Sequence, residues 1–430
     1  MTMTPASALP PLTTGDGVPP PADGAASAGP ISIPAVVSGM VSAGAVPARP
    51  PLIRAMNERL LLRHIRQLGR CSRAELARVS GLSKPTVSLA LANLERSGLV
   101  REAGQSSGGP GRSAVLYEIR PEAGYVLSLD IGQQYLRGAV ANLTGAVVTR
   151  GQVRSRASTA SKRVAELVAL ADDLCAPAGI TRADVTQTVI GSPGVYDPSR
   201  NAIWLAGGLA GWGKPAVLAE IRAAFGQQVV VENDVDAATL AEREHGYGRD
   251  VATFVFVWVG SGIGMGLMMD GKLHRGVHGA AGEIAYMPIS AEQGSDPADA
   301  RRRGTLEAAG SAAAVVRAAR RAGMRGPVSA RQVFAAAVAG DPRAAAVVAG
   351  EAELVARAVC AIVTVVDPGL VVLGGGIGQA PGFAAVVAGA LRRLTPLMAE
   401  VRVSALGTEA VVDGCLASGA ELAWQRLTVM

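Results

Sequence analysis

The sequence predicts an α/β protein with a winged helix-turn-helix on its N-terminal side. Three observations predict it. First, the hydrophobic period changes along the chain. Residues 52–96 carry helical spacing, residues 99–119 read as strand, loop and strand, and from residue 125 short apolar strands alternate with helices. Second, positive charge is local. Residues 49–120 hold 13 Lys and Arg against 5 Asp and Glu, whereas residues 121–430 hold 28 of each sign. A nucleic-acid footprint requires such a concentrated block. Third, glycine-rich turns and a cluster of acids sit at the ends of apolar strands, where α/β sheets usually hold ligands.

Bulk numbers bound the rest. A chain of 430 residues is long enough for two or three domains. Only 3% of it is aromatic, so Ala, Val, Leu and Gly must build the cores. Cys71, Cys175, Cys360 and Cys415 form no CxxC pair, which excludes a zinc ribbon and a redox dithiol. With no signal-peptide pattern, the expected compartment is the reducing cytoplasm. Residues 251–269 are apolar for long enough to suggest a membrane span. GSGIGMG lies inside that stretch, however, and its glycines favour strand, loop and strand over a helix.

Residues 1–50 are rich in Pro, Ala and Gly and nearly uncharged, which predicts a disordered extension. Residues 51–120 form the winged helix-turn-helix. Leu52, Met56, Leu60, Leu61, Ile65 and Leu68 mark one face of a first helix. Ser72 and Glu75 make a capping box for a short second helix, and Gly81 supplies the turn. Ser83 caps a third helix that has Pro85 in its first turn and is closed by Gly98. Val87, Leu91 and Leu94 would face inward, while Ser83, Lys84, Thr86 and Ser88 would meet base edges and phosphates in the major groove. Residues 99–119 form the wing, with Arg112 at its loop reaching DNA.

Residues 121–430 form the body. An apolar strand ends at Asp130 and Gly132, two further strands follow, and a helix covers 161–175. Residues 229–243 run from strand into helix with Glu232, Asp234 and Asp236 at the junction. GSGIGMG, containing Gly260, Gly262 and Gly264, is a glycine turn between strands. Gly374, Gly375 and Gly376 form a second glycine loop after a buried strand. Such loops let backbone N–H groups approach phosphate, yet neither is a P-loop nor a Rossmann fingerprint.

Together these pieces resemble the ROK family of repressors, open reading frames and kinases over residues 52–430. The motifs fall in that family's order: the winged helix, DIG (130–132), GSPG (191–194), VEND (231–234), GSGIGMG (260–266), GAAGEI (279–284) and GGGI (374–377). The resemblance implies a two-lobed actin/hexokinase-like fold with sugar and nucleotide meeting between the lobes. It implies Asp234 at the position of the base that deprotonates a sugar hydroxyl. It likewise implies Gly194, Asn233, Glu283 and Glu307 around the sugar, and Asp130, Gly132 and the two glycine loops on the phosphate side.

The departures from that pattern decide the expected function. Gln133 and Gln134 stand where family kinases carry small phosphate-cradling residues, so ATP is not expected to bind. Tyr286 replaces a family zinc-ligand histidine and the loop after it holds no cysteine, so no metal is expected. Gly208 replaces an asparagine that contacts sugar in the family. The expected protein is a transcriptional regulator, a repressor. It binds an operator as a homodimer or tetramer and answers to a small sugar-like effector, with no membrane partner and no cofactor. The alternatives are an active sugar kinase that also binds DNA, and a regulator that takes no ligand.

Overall fold

The structure, a computed structural model, describes residues 50–106, 113–197, 200–206, 209–289 and 301–429. The winged helix is built as the sequence directs. Ser72 accepts from the Glu75 amide while the Glu75 carboxylate accepts from the Ser72 amide, closing the capping box of helix Arg73–Ser80. That helix ends at Gly81 in the left-handed region, φ 70°. Helix Lys84–Arg96 buries Val87, Leu91 and Leu94 and is capped by Ser83. Strands Val100–Gln105 and Val115–Ile119 pair antiparallel as the wing. A two-residue strand, Cys71–Ser72, extends their sheet, and it is too short to leave a pattern in the sequence.

One expectation needs correction. Helix Pro50–Leu68 buries Leu61, Leu62 and Ile65, but Leu52, Met56 and Leu68 are each about half exposed. The apolar stripe overruns the core because the helix is longer than the small bundle it packs on.

The body contains two five-stranded sheets with one topology. The first runs in the order Val147–Arg154, Tyr135–Asn142, Tyr125–Ile131, Gln187–Ser192, Val230–Asn233. The second runs Lys272–Leu273, Ile263–Met269, Phe254–Val259, Leu370–Gly374, Glu400–Val403. In each, the first three strands in chain order form an antiparallel meander, and the last two add in parallel beside the first. Parallel addition needs a crossover, supplied by helices such as Ala160–Cys175 and Pro342–Val366. The apolar stretch 251–269 is therefore two strands. Among the described residues no helix is long and apolar enough to cross a membrane.

Two helices join the lobes. Asp234–His245 packs on the second sheet and Ala410–Val429 on the first, and the two pack on each other. One apolar cluster runs through both: Val189 of the first sheet, Ala237 and Ala241, Phe254 and Phe256 of the second sheet, Ala410 and Cys415. Their crossing is close. A Cβ at Gly414 would lie 1.7 Å from the Ala237 carbonyl oxygen, so only glycine fits. The winged helix shares a second cluster with the body, in which Leu61, Leu91 and Tyr117 join Val126, Leu416 and Trp424.

Gly414→Ala must push these helices apart. A loss of about 1–3 kcal/mol of stability is expected, the usual cost of overpacking, read as a lowered midpoint in chemical denaturation. An unchanged midpoint would mean that the crossing has slack.

Candidate functional site

A cleft of about 300 Å³ opens between the lobes. Asp130 and Gly132 reach it from the end of the first strand, and Gly194 from the turn after Gln187–Ser192. Asn233 and Asp234 reach it from the strand-to-helix junction. Gly262 and Gly264 line it from the loop and strand that follow Phe254–Val259, Glu283 from a loop, Glu307 from a short helix, and Gly375 and Gly376 from the last glycine loop. Two of the phosphate-loop candidates sit differently. Gly374 packs under Phe256, where a Cβ would fall 2.2 Å from the ring. Gly260 abuts the Trp258 indole rather than the open space. Gly194 is required as glycine: its φ is 89° and a Cβ would meet the Trp204 carbonyl oxygen at 2.6 Å.

Helix capping shapes the acid end. Asn233 Oδ1 accepts from the amides of Val235 and Asp236, and its Nδ2 donates to the Gly194 carbonyl at 3.1 Å. The Asn233 acceptor is thus committed to the helix N-terminus, which leaves an amide hydrogen for a ligand. Asp234 follows directly at the helix start. Glu307 Oε2 accepts from the Ile263 amide at 3.2 Å, so this carboxylate also braces the GSGIGMG turn.

The carboxylates crowd one another. Burial pushes Asp130 up to about 7, with the nearby Asp234 charge adding to the effect and Arg137 opposing it. Burial raises Asp234 to about 6 against backbone hydrogen bonds that lower it. Glu283 is raised to about 7 by burial, then by Asp234 and Glu307. Asp236, which also lines the cleft, is raised by burial and by Glu232. Taking charge out of water favours the neutral acid, and like charges reinforce this.

Several residues at the site escaped sequence reading. Arg137 sits directly across the strands from Asp130 and donates to it at 3.2 Å. The signal was available in principle, since both residues flank one tight hairpin. Arg163, on helix Ala160–Cys175, donates to the carbonyls of Gly132 and Gln133 and so pins that hairpin. Arg275 holds Glu232 through two hydrogen bonds, 2.5 and 3.1 Å, tying a second-lobe loop to a first-lobe strand. No local pattern marks either arginine. Of the two glutamines, only Gln133 lines the cleft; Gln134 is exposed and its carbonyl accepts from the Ser155 amide. Tyr286 lines the cleft and donates from its hydroxyl to the Arg302 carbonyl. Among the described residues no group of three or more His, Cys, Asp or Glu is placed to hold a metal. Gly208 and part of the loop after Tyr286 lie outside those residues.

On the candidate DNA face, Lys84 and Ser88 are exposed at the start of helix Lys84–Arg96. Ser83 and Thr86 hydrogen-bond each other at 2.8 Å, so part of their capacity is spent on the cap. Leu89 is 54% exposed on the same helix and suits a thymine methyl group. Arg112 lies outside the described residues. Part of the basic block is neutralised in place. Arg70 and Arg101 both pair with Glu118, and Arg66 pairs with Glu421.

Comparison with known proteins agrees with this geometry. Residues 126–418 match the ROK family, and residues 57–101 match a winged helix-turn-helix DNA-binding family. A putative xylose repressor from a Caldicellulosiruptor species is 28% identical over 55% of this chain and 60% of its own length. A xylose repressor from Bacillus subtilis is 26% identical over 55% of this chain and 61% of its own. The chain therefore spans about three fifths of the length of these relatives. The crystal structure of a ROK family transcriptional regulator, a homologue of the E. coli MLC protein, superposes with a TM-score of 0.69. It covers 88% of this chain and 98% of its own at 23% identity.

The raised carboxyls set a pH dependence. Between the ordinary carboxylate range and about pH 7, the folded protein holds protons that the unfolded chain has lost, so their contribution to stability falls as pH rises. The thermal midpoint is expected to decline from about pH 5 to about pH 8, and Asp234→Asn is expected to flatten that decline by removing the charge that Asp130 and Glu283 both oppose. A parent midpoint that rises over this range would contradict the burial of these groups.

Proposed function

The chain belongs to the ROK family, and on that footing we propose that it is a DNA-binding transcriptional regulator, a repressor, controlled by a sugar or sugar-derived effector held between its lobes. One observation carries the reading. The sugar side of the cleft keeps its carboxylates and its positioned amide, while the phosphate side is altered. Asp130, on the phosphate side, is paired across the strands with Arg137, and Gln133 lines the space beside it. Phosphoryl transfer depends on positioning and clamping the phosphates. A cleft altered there but polar and hydroxyl-binding elsewhere suits a sensor.

The winged helix supports the other half of the reading. Its third helix exposes Lys84 and Ser88, and Arg54, Arg63 and Arg78 are exposed with no ion pair among the described residues. A symmetric dimer follows from the usual pairing of half-sites, with each winged helix reading one. The curated relatives named as xylose repressors make D-xylose the first sugar to test. Asp234 favours the second reading, a sugar kinase that also binds DNA, because its carboxylate lines the cleft at the position of the family's base.

Fluorescence anisotropy on the chain's own upstream DNA tests the proposal. Lys84→Ala is expected to weaken binding and to lower the slope of log affinity against log salt by about 1. An unchanged slope would remove Lys84 from the DNA surface. Asp234→Asn is expected to abolish the response to sugar while leaving DNA affinity alone; an intact response would move the effector site elsewhere. Turnover of ATP with D-xylose or D-glucose by the parent protein would favour the kinase reading.

A further inference from the structure

Helix Ala410–Val429 has one end at the cleft and the other at the winged helix. Val411 in its first turn, with Gly407 and Thr408 just before it, lines the cavity. Toward the far end, Glu421 pairs with Arg66 at 3.1 Å, and the Arg66 guanidinium stands 5.1 Å from the centre of the Trp424 ring. Arg59, on the same winged-helix helix as Arg66, donates to the Thr428 carbonyl. Trp424 itself is buried in the cluster it shares with Leu61 and Tyr117. The winged helix is therefore clamped to this helix rather than held by a linker alone.

Between its ends the helix has little slack. Ser128 Oγ donates to the Val412 carbonyl at 2.7 Å. A Cβ at Gly191 would fall 2.4 Å from Val411, one at Gly419 would fall 2.5 Å from Val126, and one at Gly414 would strike Ala237. Ala237 belongs to the helix that carries Asp234 at its start. An effector that moves Asp234 therefore moves a helix in hard contact with Ala410–Val429. An unbroken 20-residue helix is about 30 Å long and shifts as one piece.

We propose that the contact of Arg66 with Trp424 and Glu421 is the positioning element through which cleft and winged helix sense each other, with helix Ala410–Val429 carrying the displacement between them. The proposal rests on the regulator reading above. Coupling between two sites is reciprocal. DNA bound at the winged helix must then alter the cleft end, and this can be measured without knowing the effector.

The experiment is hydrogen-exchange mass spectrometry on the full chain, with and without its upstream DNA duplex. DNA is expected to change exchange in helix Lys84–Arg96 and also roughly 5-fold or more at residues 405–412 and 260–266, the lower end of ordinary coupling factors. Arg66→Met keeps an apolar stem over Trp424 but removes the charge, and Glu421→Gln serves as a second variant. In both, the change in helix Lys84–Arg96 is expected to persist while the change at residues 405–412 disappears. A merely structural role for the contact would lower stability without breaking that link. A cleft end indifferent to DNA in the parent, or equally responsive in both variants, overturns the proposal. No DNA-induced change anywhere would instead overturn the regulator reading, and the proposal with it.

Discussion

The crossing of helices Asp234–His245 and Ala410–Val429 is the constraint on which the rest of the molecule depends. The first helix packs on the second sheet, the second helix on the first sheet, and glycine at 414 lets them approach to backbone contact. No side chain intervenes to absorb a shift, because packed interiors are close to crystal density. The crossing unites the lobes, and one of its helices starts with Asp234, which lines the cleft. The two sheets around it share one topology, and residues at strand ends of both line the cleft.

The cleft built on that crossing is electrostatically strained. Asp130, Asp234 and Glu283 are each driven toward their neutral forms, first by burial. Arg137 opposes this at Asp130, and Arg275, which hydrogen-bonds Glu232, opposes the same rise at Asp236. A ligand rich in hydroxyl groups suits such a site. It can donate to the carboxylates that remain charged and accept from those that are protonated, whereas a second anion would add to the crowding. Beside it, Arg137 pairs with Asp130 and Arg163 pins the hairpin at Gly132, so that end of the cleft carries cations as well as acids.

At the winged helix, charge divides into two uses. Arg70 and Arg101 hold the wing through Glu118, and Arg66 clamps the module to the body. These arginines belong to the basic block that marks a DNA-binding region in the sequence, yet their positions serve architecture. Exposed pairs of this kind contribute little stability each. Their worth lies in fixing orientation, because each joins elements far apart in the chain. Lys84, Ser88 and Leu89 stay exposed on helix Lys84–Arg96.

Local signals carried far in this chain. Capping boxes, the glycine turn, the two-residue and helical periods, and the glycine loops all act over a few residues, so the winged helix and the strand-loop-strand elements were legible without a structure. The order of motifs around Asp234, Glu283 and Gly194 was legible too. Three kinds of fact were not. Leu52, Met56 and Leu68 lie on the predicted stripe but outside the core, because burial depends on what a helix meets rather than on its own pattern. Arg163 and Arg275 reach the site from distant elements, so no spacing announces them. The shared core of winged helix and body joins Leu61 to Trp424 across more than three hundred residues. By itself the sequence determined which local elements form and which acids cluster at strand ends, because those depend on neighbours in the chain. Only the tertiary structure decided that Arg66 pairs with Glu421 of the body, that Asn233 spends its acceptor on a cap, and that one helix runs from cleft to winged helix, because each is set by contacts the chain makes only once folded.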